Sequence, residues 1–153
     1  MRLALFQPDI PQNVGAAIRL CACLGVDLEI IEPCAFPLDD RSVKRVALDY
    51  GPLAKITRYA SWDEFLKESS ARPSRLALLT TQGDQALSRF TFEEGDTLLM
   101  GAESAGAPPH VHAAAAARLR IPLAPGARSL NLVTAAALAL GEALRQTGGY
   151  AVG

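Results

Sequence analysis

The sequence predicts an α/β domain, a mostly parallel sheet flanked by helices, from two observations. Short apolar runs alternate with amphipathic segments, the order that builds α/β layers. Most of these runs are apolar on both faces, as strands covered by helices on each side require. Composition agrees. Of 153 residues, 50% are hydrophobic and 20% charged, and the mean hydropathy is +0.16. Such a chain folds around a core. At this length one domain buries roughly 70% of its unfolded surface. We read residues 1–153 as a single domain without repeat or linker.

Strands are expected at Arg2–Phe6, Leu28–Ile31, Lys55–Tyr59, Leu76–Thr80, Thr97–Met100 and Leu119–Leu123. Helices are expected at Asn13–Leu24, Asp39–Asp49, Trp62–Ser69, Pro109–Ala117 and Asn131–Thr147. In the first helix Pro11 stops the preceding segment, Asn13 is placed to cap, and Gly25 stands where a C-terminal glycine belongs. Val14, Ile18, Cys21 and Ala22 form its apolar stripe, and Arg19 lies about 140° from Val14, off that stripe. Ser61 caps the short helix that begins at Trp62. The last helix is apolar nearly all round, with alanine at 135, 136, 137, 139 and 143. An all-round apolar helix is a buried one. A 16.2 kDa chain has little core to surround it, so part of its surface is expected in a homodimer interface.

Fifteen Lys+Arg against sixteen Asp+Glu leave a net charge of −1. That excludes a generic polycation and leaves room for a local basic patch. The run Arg2–Phe6 is too short for a signal peptide or a membrane span, so a cytoplasmic protein is expected. Three cysteines without a C-x-x-C read as buried reduced thiols. His110 and His112 have no acidic or thiol neighbour in sequence, and no metal is expected. Dinucleotide and P-loop glycine motifs, the G-x-S-x-G elbow and H-E-x-x-H are all missing from the sequence.

Three stretches carry chemistry, each after an expected strand, where open parallel sheets bind ligands. Gln7–Arg19 (QPDIPQNVGAAIR) opens a helix at Asn13-Val14-Gly15, a place for a phosphate among free N–H groups. Gly15 and Ala16 would admit the ligand closely, and Arg19 offers a guanidinium to phosphate or carboxylate. Leu98–Pro109 (LLMGAESAGAPP) sets Glu103 alone among small residues, ready to orient a hydroxyl or an amine. Arg120–Leu132 (RIPLAPGARSLNL) brings Ser129 and Asn131 to a helix start, where both are caps by default and also place polar groups in a cleft.

In order, NVGAAIR, MGAESAGAP and IPLAPGARSLNL resemble the motifs of the SPOUT superfamily of RNA methyltransferases. With IIEP at Ile30–Pro33 and LDYG at Leu48–Gly51, the match spans essentially the whole chain. More specifically it resembles the small single-domain TrmL type, which methylates the ribose 2′-oxygen of the tRNA wobble nucleotide, C or U. The resemblance implies a C-terminal trefoil knot, S-adenosylmethionine as cofactor, and a homodimer whose active site is shared between subunits. Carried over by position, the cofactor pocket comprises Leu79, Gly101, Ile121, Ser129 and Leu130. The catalytic set falls on Asn13, Arg19, Glu103, Ser129 and Asn131. Arg19, too weak a base to act alone, is assigned to phosphate binding and hydroxyl orientation, held with the ribose by Asn13 and Asn131. Arg41, Lys44 and Arg45 share one helix face and, with Arg2 and Arg58, are candidates for tRNA phosphates. Ala16, Ala102, Ala105 and Gly141 depart from the type's pattern and bear on substrate range. Alternatives within the resemblance are another tRNA position, rRNA, or RNA binding without catalysis.

Overall fold

The computed structural model describes residues 1–151. Seven strands form one sheet: β1 (Arg2–Phe6), β2 (Asp27–Ile31), β3 (Ile56–Tyr59), β4 (Leu76–Leu79), β5 (Gln85–Ala86), β6 (Thr97–Met100) and β7 (Ala117–Arg120). Their order is β3-β2-β1-β6-β4-β7-β5, and all neighbours are parallel. The helices are α1 (Pro11–Leu24), α2 (Arg41–Ala47), α3 (Trp62–Ser70), α4 (Pro109–Ala114) and α5 (Leu132–Thr147). The parallel α/β expectation therefore holds. Among the described residues no helix is long and apolar enough to cross a membrane.

Alternate side chains of each strand feed two cores. Leu3, Leu5, Leu28 and Leu98 face one way, against Val14 and Ile18 of α1 and Ala139 and Leu140 of α5. Ala4, Phe6, Leu78 and Leu99 face the other way, against Trp62 and Phe65 of α3 and Val111 of α4. This two-sided burial is why the strands read as continuous apolar runs. Each fully buried leucine or phenylalanine adds about 1.5–3 kcal/mol. Two buried carboxylates are paired, as groups out of water must be: Glu29 on β2 with Arg72 Nη1 at 2.6 Å and with the Tyr59 hydroxyl at 3.1 Å, and Asp96 with Arg75 Nη2 at 2.6 Å.

Several boundaries differ from expectation. α1 starts at Pro11, with Ile10 in the N-cap position. Proline suits the first helical position, where its missing N–H has no helical partner anyway. Asn13 is thus inside the helix and buried, and does not cap it. Gly25 ends α1 in the left-handed region, φ 66°, as expected. α2 is shorter than predicted, capped by Asp40 and closed by Leu48 at φ 54°. α4 ends at Ala114, since the Ala116 N–H already donates to Leu76 O at 2.8 Å on the way into β7. β7 begins and ends earlier than Leu119–Leu123, for Pro122 has no N–H to give a ladder. The two-residue β5 was not expected. Of the cysteines Cys21 is buried, but Cys23 is exposed and Cys34 intermediate, so the buried-thiol reading holds for one.

α5 starts one residue later than predicted, with Asn131 as its cap. It buries Ala136, Ala139, Leu140, Ala143 and Leu144, and alanines let it lie close to its neighbours. Leu138, on its other side, stays 51% exposed.

Candidate functional site

The carboxyl ends of β1, β6, β4 and β7 lie along one edge of the sheet, and the segments that follow them enclose a cavity of about 520 Å³. Ligand sites occupy roughly 300–1,000 Å³ and take this position in open α/β sheets. All five residues expected at a cofactor pocket line it: Leu79, Gly101, Ile121, Ser129 and Leu130. Four of the five candidate catalytic residues do so too: Asn13, Glu103, Ser129 and Asn131. Three separated sequence stretches are thus one place.

Local backbone explains the shape. Gly101 directly follows β6, and a Cβ there would lie 2.5 Å from Ala107 N. The loop doubles back on itself at that point, with Ala102 N–H donating to Gly106 O at 3.1 Å and Gly106 N–H to Ala102 O at 2.8 Å. From Ile121 to Asn131 the backbone makes one internal bond among the described residues, Ala127 N–H to Ala124 O at 3.1 Å. Asn131 O accepts from Ala135 N–H at 2.9 Å, and the segment lies beside the apolar Leu79, Ile121 and Leu130. Apolar walls beside an irregular backbone stretch suit a purine ring, flat and rimmed by hydrogen-bonding atoms.

One wall is polar and closely bonded. Glu103 Oε1 accepts from Asn13 Nδ2 at 3.0 Å, and Glu103 Oε2 accepts from Asp9 N–H at 3.0 Å. Asp9 returns the contact: its Oδ1 accepts from Glu103 N–H at 3.1 Å, and its Oδ2 accepts from Ser104 N–H at 3.3 Å and from the Ser104 hydroxyl. Asn131 Nδ2 donates to Asn13 Oδ1 at 3.0 Å, while Asn131 Oδ1 accepts from Val133 N–H at 2.9 Å and Thr134 N–H at 3.2 Å. Hydrogen bonding with the Glu103 side chain, then with Ser104, lowers the Asp9 carboxyl to about 2. Burial, then the bond with Asp9, raises the Glu103 carboxyl above its ordinary value. The two acids are pushed apart, the environment that gives paired carboxyls different protonation.

Asn131 serves both as cap and as cavity wall; Ser129 lines the cavity but does not cap α5. Asn13 bonds Glu103, and Asn131 bonds Asn13; neither bonds Arg19. Arg19 is exposed on α1 and lies outside this cavity, its guanidinium 5.2 Å from the Tyr50 ring centre. Gly15 does not admit a ligand, because it is buried against α2, where a Cβ would lie 2.5 Å from Val43 O. The Asn13–Gly15 amides likewise lie within the helix, so no phosphate niche opens there. Arg41, Lys44 and Arg45 are exposed together on α2, with Val43 and Ala47 buried beneath them. Arg58 is paired with Glu32 at 2.8 Å. Arg2 donates to Gly95 O at 3.3 Å, at the far end of the sheet from the cavity.

Sequence reasoning missed Asp9 as a site residue. Its signal was position: an acid just past β1, opposite a second acid just past β6, on adjacent strands. The Thr80–Gln82 turn after β4, also in the cavity wall, had no signal beyond its place after a strand.

A parallel α/β sheet with a polar-walled, apolar-floored cavity across its carboxyl edge defines a nucleotide-type ligand site. Residues 1–141 match the SpoU rRNA Methylase family, and the chain belongs to that family. A relative from Beijerinckia indica, named tRNA (cytidine(34)-2′-O)-methyltransferase, is 52% identical over 97% of this chain and 93% of its own. One of the same name from Escherichia coli K12 is 40% identical over 97% of this chain and 94% of its own. A solved structure described as giving structural insights into the 2-OH methylation of C/U34 on tRNA is similar at TM-score 0.89 and 40% identity, over 95% of this chain and 94% of that one. The SpoU methyltransferase AviRb from Streptomyces viridochromogenes, in complex with AdoMet, is similar at TM-score 0.89 and 28% identity, over 95% of this chain and 60% of that one.

Proposed function

We propose that this chain transfers a methyl group from S-adenosylmethionine to the ribose 2′-hydroxyl of the wobble nucleotide, C34 or U34, of tRNA in the cytoplasm. The observation that carries the reading is the joining of Asn13, Glu103 and Asn131 into one bonded wall of a purine-sized cavity. Family membership and relatives of nearly equal length support the substrate.

When bound, the cofactor supplies a methyl group already activated on a sulfonium. What the chain must do is align the hydroxyl and manage its proton. In this reading Leu79, Ile121 and Leu130 hold the adenosine, and Gly101 and Ser129 offer backbone and hydroxyl contacts. Asn13, Glu103, Ser129 and Asn131 orient the ribose. Arg19 binds a substrate phosphate and orients the 2′-hydroxyl. Since Arg19 lies outside the cavity of its own chain, it serves the cavity of a second copy in a homodimer. Arg41, Lys44 and Arg45 hold tRNA phosphates. The same proposal includes a trefoil knot, in which the C-terminal chain threads through a loop. It is supported by the way the 101–108 and 121–131 segments flank one cavity.

A nucleoside mass spectrum tests the reading. Protein, S-adenosylmethionine and tRNA from cells lacking this gene should yield 2′-O-methylcytidine or 2′-O-methyluridine mapped to position 34. Methyl groups at other positions, or none despite measured cofactor binding, would overturn it. Arg19→Ala should keep cofactor affinity and lose methyl transfer; undiminished turnover would remove Arg19 from the scheme.

A further inference from the structure

We propose that Asp9 is a positioning residue for methyl transfer, a two-way clamp that holds Glu103 at the cavity. The inference rests on the reading that Glu103 orients the ribose.

The clamp is reciprocal. The Asp9 carboxylate accepts the backbone N–H of Glu103 and of Ser104, and the Glu103 carboxylate accepts the backbone N–H of Asp9. Each acid therefore fixes the other's backbone, across 94 positions of sequence. With the Ser104 hydroxyl added, the Asp9 carboxylate takes three donors from two successive residues. That arrangement fixes the direction in which the loop after β6 leaves the sheet. Among the described residues the Glu103 carboxylate has one further fixed partner, Asn13 Nδ2 at 3.0 Å. Without Asp9 the loop amides of Glu103 and Ser104 lose their acceptors, and the carboxylate keeps a single tether.

Asp9 also brings charge. An acid held ionised beside Glu103 makes a second ionisation harder. The titratable groups facing Glu103 are Asp9 and the Cys34 thiol; His112 lines the same cavity. Asp9 is the one among them that bonds it directly. Its oxygens are turned to the loop backbone and to Ser104. Its influence passes through Glu103.

The experiment compares Asp9→Asn, Asp9→Glu and Glu103→Gln in the full chain. Turnover and KM are read on unmodified tRNA, affinity by calorimetry with S-adenosylhomocysteine, and kcat across pH. Asp9→Asn and Glu103→Gln are each expected to lower kcat roughly tenfold to hundredfold, the scale of a misplaced catalytic group. S-adenosylhomocysteine affinity and tRNA KM should change less than about threefold, because these replacements disturb alignment and not binding. In Asp9→Asn the acid limb of kcat should move to lower pH, since Glu103 ionises more readily without the neighbouring charge. Asp9→Glu, which keeps the charge and the acceptors, should recover most of the rate. An Asp9→Asn enzyme with full kcat, beside an impaired Glu103→Gln, would overturn the role of Asp9 alone. Loss of kcat with an unmoved acid limb, or with equal loss of S-adenosylhomocysteine binding, would reduce Asp9 to plain scaffolding and overturn the proposal. A fully active Glu103→Gln would remove the reading on which it stands.

Discussion

Asn131 and Asn13 meet side chain to side chain across 118 positions of sequence, Nδ2 to Oδ1 at 3.0 Å. The same Asn131 caps α5 through its Oδ1. One amide thus ties the start of the last helix to the interior of the first. The two halves of that amide are separable by substitution. Asn131→Asp keeps the capping oxygen and removes the donor toward Asn13. It should leave the melting temperature within about 2 °C, because aspartate caps as well as asparagine, while methyl transfer falls. Asn131→Ala loses both and should drop the midpoint by roughly 2–4 °C, the shift that about 1 kcal/mol produces at this chain length. Thermal melts and turnover on the two variants check this, and equal turnover in Asn131→Asp and wild type would refute it.

The two acids of the clamp pull stability in opposite directions with pH. Asp9, lowered from 3.8 to about 2, adds stability that is present above pH 3.8 and fades as pH falls toward 2. Glu103, raised from 4.5, adds stability that is full below pH 4.5 and is lost as pH rises through its folded value. Glu103→Gln removes the second effect. The stability of wild type relative to this variant should therefore decline as pH climbs from 4.5. Urea denaturation between pH 4 and 7 gives the difference, and a constant offset would contradict it.

Gly15 is held by contact, since α1 and α2 touch backbone to backbone there. A methyl group would meet Val43 O at 2.5 Å and Val46 Cβ at 2.9 Å. Gly15→Ala should destabilise by about 1–3 kcal/mol, the usual range for overpacking, in spite of alanine's better helix propensity. A variant as stable as wild type in denaturant titration would show that α2 yields. Because α2 carries Arg41, Lys44 and Arg45, the displaced helix should also weaken tRNA binding.

Leu138 tests the homodimer. It is 51% exposed on a helix otherwise packed with alanine and leucine. Leu138→Glu should turn a dimer into a monomer in sedimentation velocity without unfolding the chain, because the residue supports nothing in its own core. A wild-type monomer, or a variant that remains dimeric, would count against α5 as the contact.

Much of this molecule was legible from residue order. Both-face apolar runs gave the parallel sheet, and Gly25 gave the end of α1. The three chemical stretches converge because each follows a strand, and strand ends meet when all strands run one way. Other features had no local signal. β5 is two residues, Gln85 and Ala86, too short to show alternation. Asn13 looked like a cap by residue type, yet its partners Glu103 and Asn131 lie 90 and 118 positions away, and long-range partners overrule local preference. Asp9 was invisible for the same reason. Gly15 was read as room for a ligand, when the space is filled by another helix.

The place of β1 in the sheet has a consequence for synthesis. β1 precedes both of its partners in the chain, pairing on one side with β2 and on the other with β6, Leu3 opposite both Leu28 and Leu98. Until Thr97–Met100 leaves the ribosome, this interior strand has one bare edge. Closing so long a loop is slow, and contacts of this range put folding toward the slow end of small domains. Before that pairing the partly made chain holds apolar strand faces and an unpaired edge open to water, the condition that favours aggregation.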